Sequence, residues 1–229
     1  MKLRFLSILF TVFLFENNYT HGQHAAPNPQ IRFLENKHQW ETNVLYRADL
    51  PGGKLYAEKN KLTYVFYDTK LLAEVHDKSH QKKREANSSA RSIEEEGSTM
   101  RLHAFSVDFV GANLSSTILP ASKNPEKNNF YIGSDPSLWA SNVSSYSQLN
   151  YKKVYENTDL SVFESNGSMK YEFIVYPGGD PTNIKLQYKG VDNIYLENGE
   201  LHIKTSVNEI VEQAPYIYQI INGKELKIS

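Results

Sequence analysis

The chain contains no cysteine. That absence removes disulfide-scaffold toxins and growth factors, thiol nucleophiles and thiolate metal sites from the possible functions. No sign of charge dominates either. Lys and Arg number 25 against 26 Asp and Glu, a formal net charge of −1, so bulk electrostatics would not hold a nucleic acid or an anionic membrane. Long apolar runs are also missing. The most apolar stretch, residues 5–15, is 11 residues long, whereas a membrane-spanning helix needs about 20. The local signatures of zinc hydrolases, nucleophile elbows, phosphate-binding loops and calcium loops do not occur. No internal repeat of fixed period points to a solenoid or a propeller blade.

What is present begins with the N-terminus. Lys2 and Arg4 precede the apolar stretch, and polar residues then lead to the small residue Gly22. A charged start, a short apolar segment and a small residue near the exit describe a secretory signal peptide over residues 1–22, so the mature chain is expected to begin near Gln23. No later segment would span a membrane once this leader is cleaved. A chain of this size can bury about 70% of the surface it exposes unfolded, enough to fold without disulfides.

Three Asn-Gly dipeptides, Asn166-Gly167, Asn198-Gly199 and Asn222-Gly223, lie between runs of β-branched, aromatic and aliphatic residues. Asn and Gly tolerate the positive φ that a type I′ turn requires, so each pair predicts a two-residue hairpin. The first hairpin then sets Val162 opposite Tyr171 and Leu160 opposite Phe173 on a core face, with Ser161, Lys170 and Glu172 on the other. The second sets Leu196 opposite Leu201 and Ile194 opposite Ile203, leaving Glu197 and Glu200 towards solvent. In the third, Ile217, Gln219, Ile221, Leu226 and Ile228 share a face. Its return strand reaches Ser229 with no closing loop or cap, so the domain is expected to be C-terminally truncated.

Residues 23–30, with Pro27 and Pro29, read as an extended lead-in to a β-rich domain over 31–229. Residues 44–46 and 54–67 read as strands around the turn Pro51-Gly52-Gly53, where proline presets φ and glycine accepts a positive one. Residues 70–99 are polar and charged, and such a stretch cannot bury enough apolar surface to offset its ordering entropy, so it is expected to be a disordered insertion. Over 101–110, His103, Phe105, Val107 and Phe109 alternate as a buried face. Residues 111–127, rich in Asn, Ser and Pro, read as a connection. In SDPSLWAS, Asp135 is expected to cap a short helix with Pro136 in its first turn, pinned to the sheet by Leu138 or Trp139. The fold class is therefore all-β, an antiparallel β-sandwich-like domain built from hairpins behind a cleaved signal segment.

Several longer blocks carry a resemblance. FLENKHQW (33–40), VLYRADLPGGKL (44–55), HAFSVDFVGAN (103–113), NNFYIGSDPSLWASNV (128–143), YKKVYENTDL (151–160), KYEFIVYPGGDPTNIKLQYKG (170–190) and GELHIKTS (199–206) resemble an N-terminal domain of unknown function. That domain heads large exported proteins of Bacteroidota and related bacteria. Propeller-type repeats, PKD-like or immunoglobulin-like modules and a gliding-motility-type C-terminal sorting domain follow it there. His38 stands where the pattern has glycine, and 70–99 looks like a variable insertion. The resemblance implies an accessory domain, secreted or at the cell surface, and it brings no catalytic residues.

Each candidate site also has a plain structural role. His76 and His80 are spaced for one helix face as metal ligands, but they fall in the polar insertion, where no scaffold would hold them. Asp159 and Glu172 flank the first hairpin as an imaginable glycosidase pair, whose carboxyls must stand roughly 5 to 9.5 Å apart. Trp139, Tyr146, Tyr151 and Tyr155 are the candidate binding residues. Flat rings stack on sugars or anchor a protein partner, and they equally pack β-cores. The expected function is a non-catalytic structural or adhesive module needing no cofactor or metal. Its expected partners are downstream domains of the same polypeptide and a surface glycan or protein. The alternatives are a carbohydrate-binding module and an accessory domain of a secreted glycan- or peptide-degrading enzyme.

Overall fold

A computed structural model describes residues 5–14, 30–68 and 100–228. The leader's exit at Gly22, all of the lead-in except Gln30, and the 70–99 insertion with His76 and His80 lie outside the described residues. The strands in chain order are β1 (Phe5–Leu14), β2 (Phe33–Glu35), β3 (Tyr46–Leu50), β4 (Gly53–Ala57), β5 (Lys61–Tyr67), β6 (Leu102–Phe109), β7 (Thr117–Phe130), β8 (Ala140–Tyr155), β9 (Thr158–Ser165), β10 (Ser168–Val175), β11 (Leu186–Lys189), β12 (Asn193–Glu197), β13 (Glu200–Lys204), β14 (Glu209–Glu212), β15 (Tyr216–Ile221) and β16 (Lys224–Lys227). The fold is all-β and antiparallel, and no α-helix occurs among the described residues. The main path of pairing runs β11-β6-β5-β4-β3-β2-β8-β9-β10-β1-β14-β13-β12.

This path doubles back into two facing layers, the first ending at β2 and the second beginning at β8. Tyr64, Phe66, Phe105, Val107 and Phe109 of the first layer share one core with Leu160, Val162, Tyr171 and Phe173 of the second. Across the gap, the Phe109 and Tyr151 rings meet edge to face at 5.7 Å. Alternation of apolar and polar residues places them there. In β4, β5 and β10 every second residue is buried, the period of a strand with one face on a core.

The turns follow from their residues. Asn166, Asn198 and Asn222 have φ of 55°, 52° and 54°, and the glycines after them are positive as well, so all three loops are I′-type and fix their registers. Tyr171 pairs with Val162, Phe173 with Leu160, Leu196 with Leu201 and Ile194 with Ile203. In the Pro51 turn Gly52 carries φ 67°. Gly53 opens β4 so close to β5 that a Cβ there would stand 2.4 Å from the Val65 carbonyl oxygen.

Four expectations need correction. Residues 54–67 are two strands, because Glu58 to Asn60 form a turn in which the Glu58 amide donates to the Lys61 carbonyl at 3.1 Å. Residues 111–127 are mostly strand: β7 pairs with β8 as an edge, where Pro120 and Pro125 are tolerated because one row of backbone groups faces solvent. Ile194 and Leu196 keep the expected register but remain exposed, since β12 is also an edge and no described residue covers it. Leu138 and Trp139 do not pin the capped turn to the sheet and are exposed too. The residues with a leader's composition, 5–14, form β1 and fill an interior place between β10 and β14.

Candidate functional site

The hairpin of β7 and β8 ends in a loop built by local chemistry. Asp135 accepts from the Ser137 amide at 2.9 Å and caps the 3-10 turn Pro136–Leu138. The Trp139 indole donates to the Gly133 carbonyl at 3.3 Å, and its ring meets Tyr131 at 5.9 Å with planes crossed at 76°. Tyr131, Ile132, Leu138 and Trp139 are all exposed on this one loop, Ile132 74% and Trp139 40%.

The base of this tip is braced by the segment after β2. Asn36 organises it: its side-chain amide reaches the carbonyls of Trp40, Glu41 and Val44 at 3.1, 3.0 and 2.8 Å, while its oxygen accepts from the His38 amide at 3.0 Å. Trp40 packs edge-on against Phe130 at 5.3 Å, and the Arg47 guanidinium lies 4.4 Å from the Trp40 ring centroid. Lys37 Nζ donates to the carbonyls of Ser141 and Asn142 at 3.3 and 3.1 Å. A ring nitrogen of His38 lies 2.8 Å from the Trp139 carbonyl oxygen. His38 holds φ at 137°, a conformation that favours glycine, the residue that the resembling pattern has at this position.

The four candidate binding residues do not form one surface. Trp139 belongs to the tip. Tyr146 is half-buried, its ring edge-on to Tyr46 at 6.1 Å. Burial, helped by Tyr146 and Glu35, pushes the Tyr46 hydroxyl up to about 12. Tyr151 is wholly inside the core, where burial pushes its hydroxyl far above the ordinary value. Tyr155 is buried and donates to the Lys185 carbonyl at 3.1 Å. Neither of these two rings is open to a sugar or a partner. The imagined acid pair also fails to make a site. Asp159 is buried and already accepts from Lys152 Nζ at 2.7 Å, the Lys153 amide at 2.8 Å and the Tyr176 hydroxyl at 3.1 Å. Glu172 accepts from the Tyr218 hydroxyl.

A second feature escaped the sequence reading. Glu212, at the end of β14, is buried between the layers. It accepts from the Tyr171 hydroxyl of β10 at 2.7 Å and from the Tyr188 hydroxyl of β11 at 2.9 and 3.0 Å. Burial raises the Glu212 carboxyl above its ordinary value, and the two phenol hydrogen bonds oppose that rise. Burial first, and then the Glu212 charge, push the Tyr171 and Tyr188 hydroxyls well above theirs. Beside this group lies a half-open cavity of about 320 Å³, lined by Phe10, Leu186, Leu196 and Leu201 along with Tyr171 and Glu212. Both carboxylate oxygens are engaged, so Glu212 acts as a polar clamp joining the two layers. Among the described residues no group of three or more His, Asp or Glu is placed to hold a metal ion. The sequence hinted at the clamp only in that Glu212 falls two residues after the apolar Ile210, on the same face of its strand.

These features define an antiparallel all-β module with an internal polar clamp and a braced apolar tip. The chain belongs to the family described as a domain of unknown function, DUF7948, whose model matches residues 33–229. No curated protein matches it, and no solved structure does.

Proposed function

We propose that the chain is a non-catalytic structural or adhesive module, the N-terminal part of a larger secreted or cell-surface protein of the Bacteroidota type, serving adhesion or gliding motility. The observation that carries this reading is the braced tip, where Tyr131, Ile132, Leu138 and Trp139 stand in solvent on a loop held by the segment after β2. Several exposed apolar side chains gathered on one braced loop suit a binding anchor. The crossed rings of Tyr131 and Trp139 offer no flat platform for a sugar, which favours a protein surface over a glycan as partner. The leader-like N-terminus and the lack of cysteine support export in a bacterium. The engaged states of Asp159, Glu172 and Glu212 support a role in holding rather than transforming.

The test uses labelled full chain applied to intact bacterial cells, compared with an Ile132→Asp/Leu138→Asp variant of unchanged thermal unfolding. The variant is expected to bind at least about tenfold more weakly, the equivalent of roughly 1.4 kcal/mol. Equal binding by both proteins, or retention of a tagged chain in the cytoplasm of its host, would overturn the reading.

A further inference from the structure

The place held by β1 has the character of an occupied receptor. Residues 5–14 have a leader's composition and lie outside the stretch 33–229 that defines the family, yet they pair on both sides. Leu6 to Val12 pair with β10 in seven consecutive steps, Phe5 to Leu9 pair with β15, and Val12 to Leu14 with β14. Without β1, no strand pairing among the described residues links β12 to β16 with the rest of the sheet.

The flanking strands are built as interior strands. Edges that face water carry devices against pairing. Thus β7 has Pro120, Pro125, Lys123, Lys127 and two register shifts, and β16 has Lys224, Glu225 and Lys227. By contrast β10 is regular throughout, and Met169, Tyr171, Phe173 and Val175 beneath β1 are buried. Removal of residues 1–22 on export would leave these backbone groups and side chains open.

We propose that this gap is a strand-acceptor site, filled in the mature protein by an extended apolar strand of a neighbouring module lying antiparallel to β10. The inference rests on the module reading above. Main-chain hydrogen bonds supply the attachment and alternate side-chain pockets supply the selection. The present occupant shows what is selected. Ser7 is 1% exposed, so its position takes a small residue. Phe10 stacks on Tyr171 at 4.6 Å with planes 12° apart and meets Phe173 edge-on at 6.4 Å, so its position takes an aromatic ring, with the adjoining cavity leaving room for a larger one. Leu6 and Ile8 sit opposite Val175 and Phe173. The accepted strand therefore reads aliphatic, small, aliphatic, any, aromatic, with no charge at the inward positions.

The test takes the full chain with a protease site inserted between Gly22 and Gln23, folded and then cut. The probe is a fluorescent synthetic peptide with the sequence of residues 5–14 and a solubilising lysine tail. Cut protein is expected to exchange its resident strand for the probe, one per chain, while uncut protein takes up none. Probes with Phe10→Ala or Ser7→Phe are expected to bind at least about tenfold more weakly, and one with Thr11→Ala within about threefold. Cut and uncut chains behaving alike, equal affinity of all probes, or unfolding after cutting that the probe does not reverse would each overturn the acceptor site. So would an exported protein whose mass retains residues 1–22. Strand exchange does not depend on where the protein resides or what the tip binds. Failure of the exchange with surface binding intact therefore retires the acceptor alone, and loss of cell binding with exchange intact retires the module reading alone.

Discussion

Replacing Glu212 by Gln in the full chain separates the cost of a buried charge from the value of its hydrogen bonds. Burial raises the Glu212 carboxyl above its ordinary 4.5 in the folded chain. Between that ordinary value and the raised one, the folded state holds a proton that the unfolded state has lost, so unfolding releases a proton and stability falls as pH rises. Each tenfold change in proton affinity is worth about 1.4 kcal/mol. The facing groups do not disturb this window. Tyr171, Tyr188 and Tyr64 all have hydroxyls pushed well above their ordinary 10.0 by burial, so they stay protonated across it. Glutamine can still accept from both phenols through its oxygen, but its amide hydrogens enter a site whose hydroxyls already point at the carboxylate, at a cost of about 1–3 kcal/mol that does not vary with pH. Urea unfolding of both proteins at pH 5, 6, 7 and 8 isolates the two effects, since every other titrating group is common to both and cancels in the difference. The variant is expected to be less stable at pH 5 and to gain on the parent as pH rises, the gain levelling off once Glu212 is ionised in the folded chain as well. Parallel curves, or a parent that gains on the variant as pH rises, would refute the account of Glu212 as a desolvated acid.

Gly53→Ala would place a Cβ 2.4 Å from the Val65 carbonyl oxygen and 2.7 Å from the Phe66 ring, and a backbone shift of that kind costs about 1–3 kcal/mol in urea unfolding. A loss below about 0.5 kcal/mol would show that β4 and β5 are not so tightly apposed. At position 38, where φ is 137°, Gly is expected to be more stable than Ala by about 1–3 kcal/mol, the reverse of the usual order. Thermal unfolding of His38→Gly and His38→Ala decides the sign. The Tyr151 hydroxyl is buried with no hydrogen-bond partner among the described residues, so Tyr151→Phe is expected to raise stability by about 1 kcal/mol. A loss of that size in urea unfolding would mean that the hydroxyl is satisfied.

The hairpins were legible because Asn-Gly fixes loop length, and loop length fixes every pairing that follows. One dipeptide thereby placed Val162 on Tyr171 and Leu160 on Phe173. The edge strand β7 was not legible for an equally physical reason. It is held through its backbone to β8, its side chains lie mostly in water, and so its composition is that of a loop. Periodicity also stops short of burial. The alternation in β12 identifies which face Ile194 and Leu196 share, but whether another element covers that face depends on strands far away in the sequence, and among the described residues none does.

The same limit explains the scattered aromatic candidates and locates the tip. Tyr146, Tyr151 and Tyr155 are neighbours in sequence, but β8 is extended, and at about 3.3 Å per residue they spread along up to roughly 30 Å of strand, with Tyr151 and Tyr155 turned into the core and Tyr146 left half-buried. Trp139 instead finds its partners about a hundred residues earlier. His38 reaches its carbonyl, Lys37 those of Ser141 and Asn142, and Glu35 Oε1 accepts from the Ser144 amide at 2.8 Å. Two of the blocks that carry the family resemblance, 33–40 and 128–143, are thus one structure. The available signal was the histidine in place of glycine. A side chain at φ 137° strains the backbone wherever it stands, and here its ring bonds the carbonyl of the residue that presents the exposed indole. A loop serving only to reverse the chain would gain nothing from that arrangement, whereas a loop that must hold Trp139 in one position gains a fixed support.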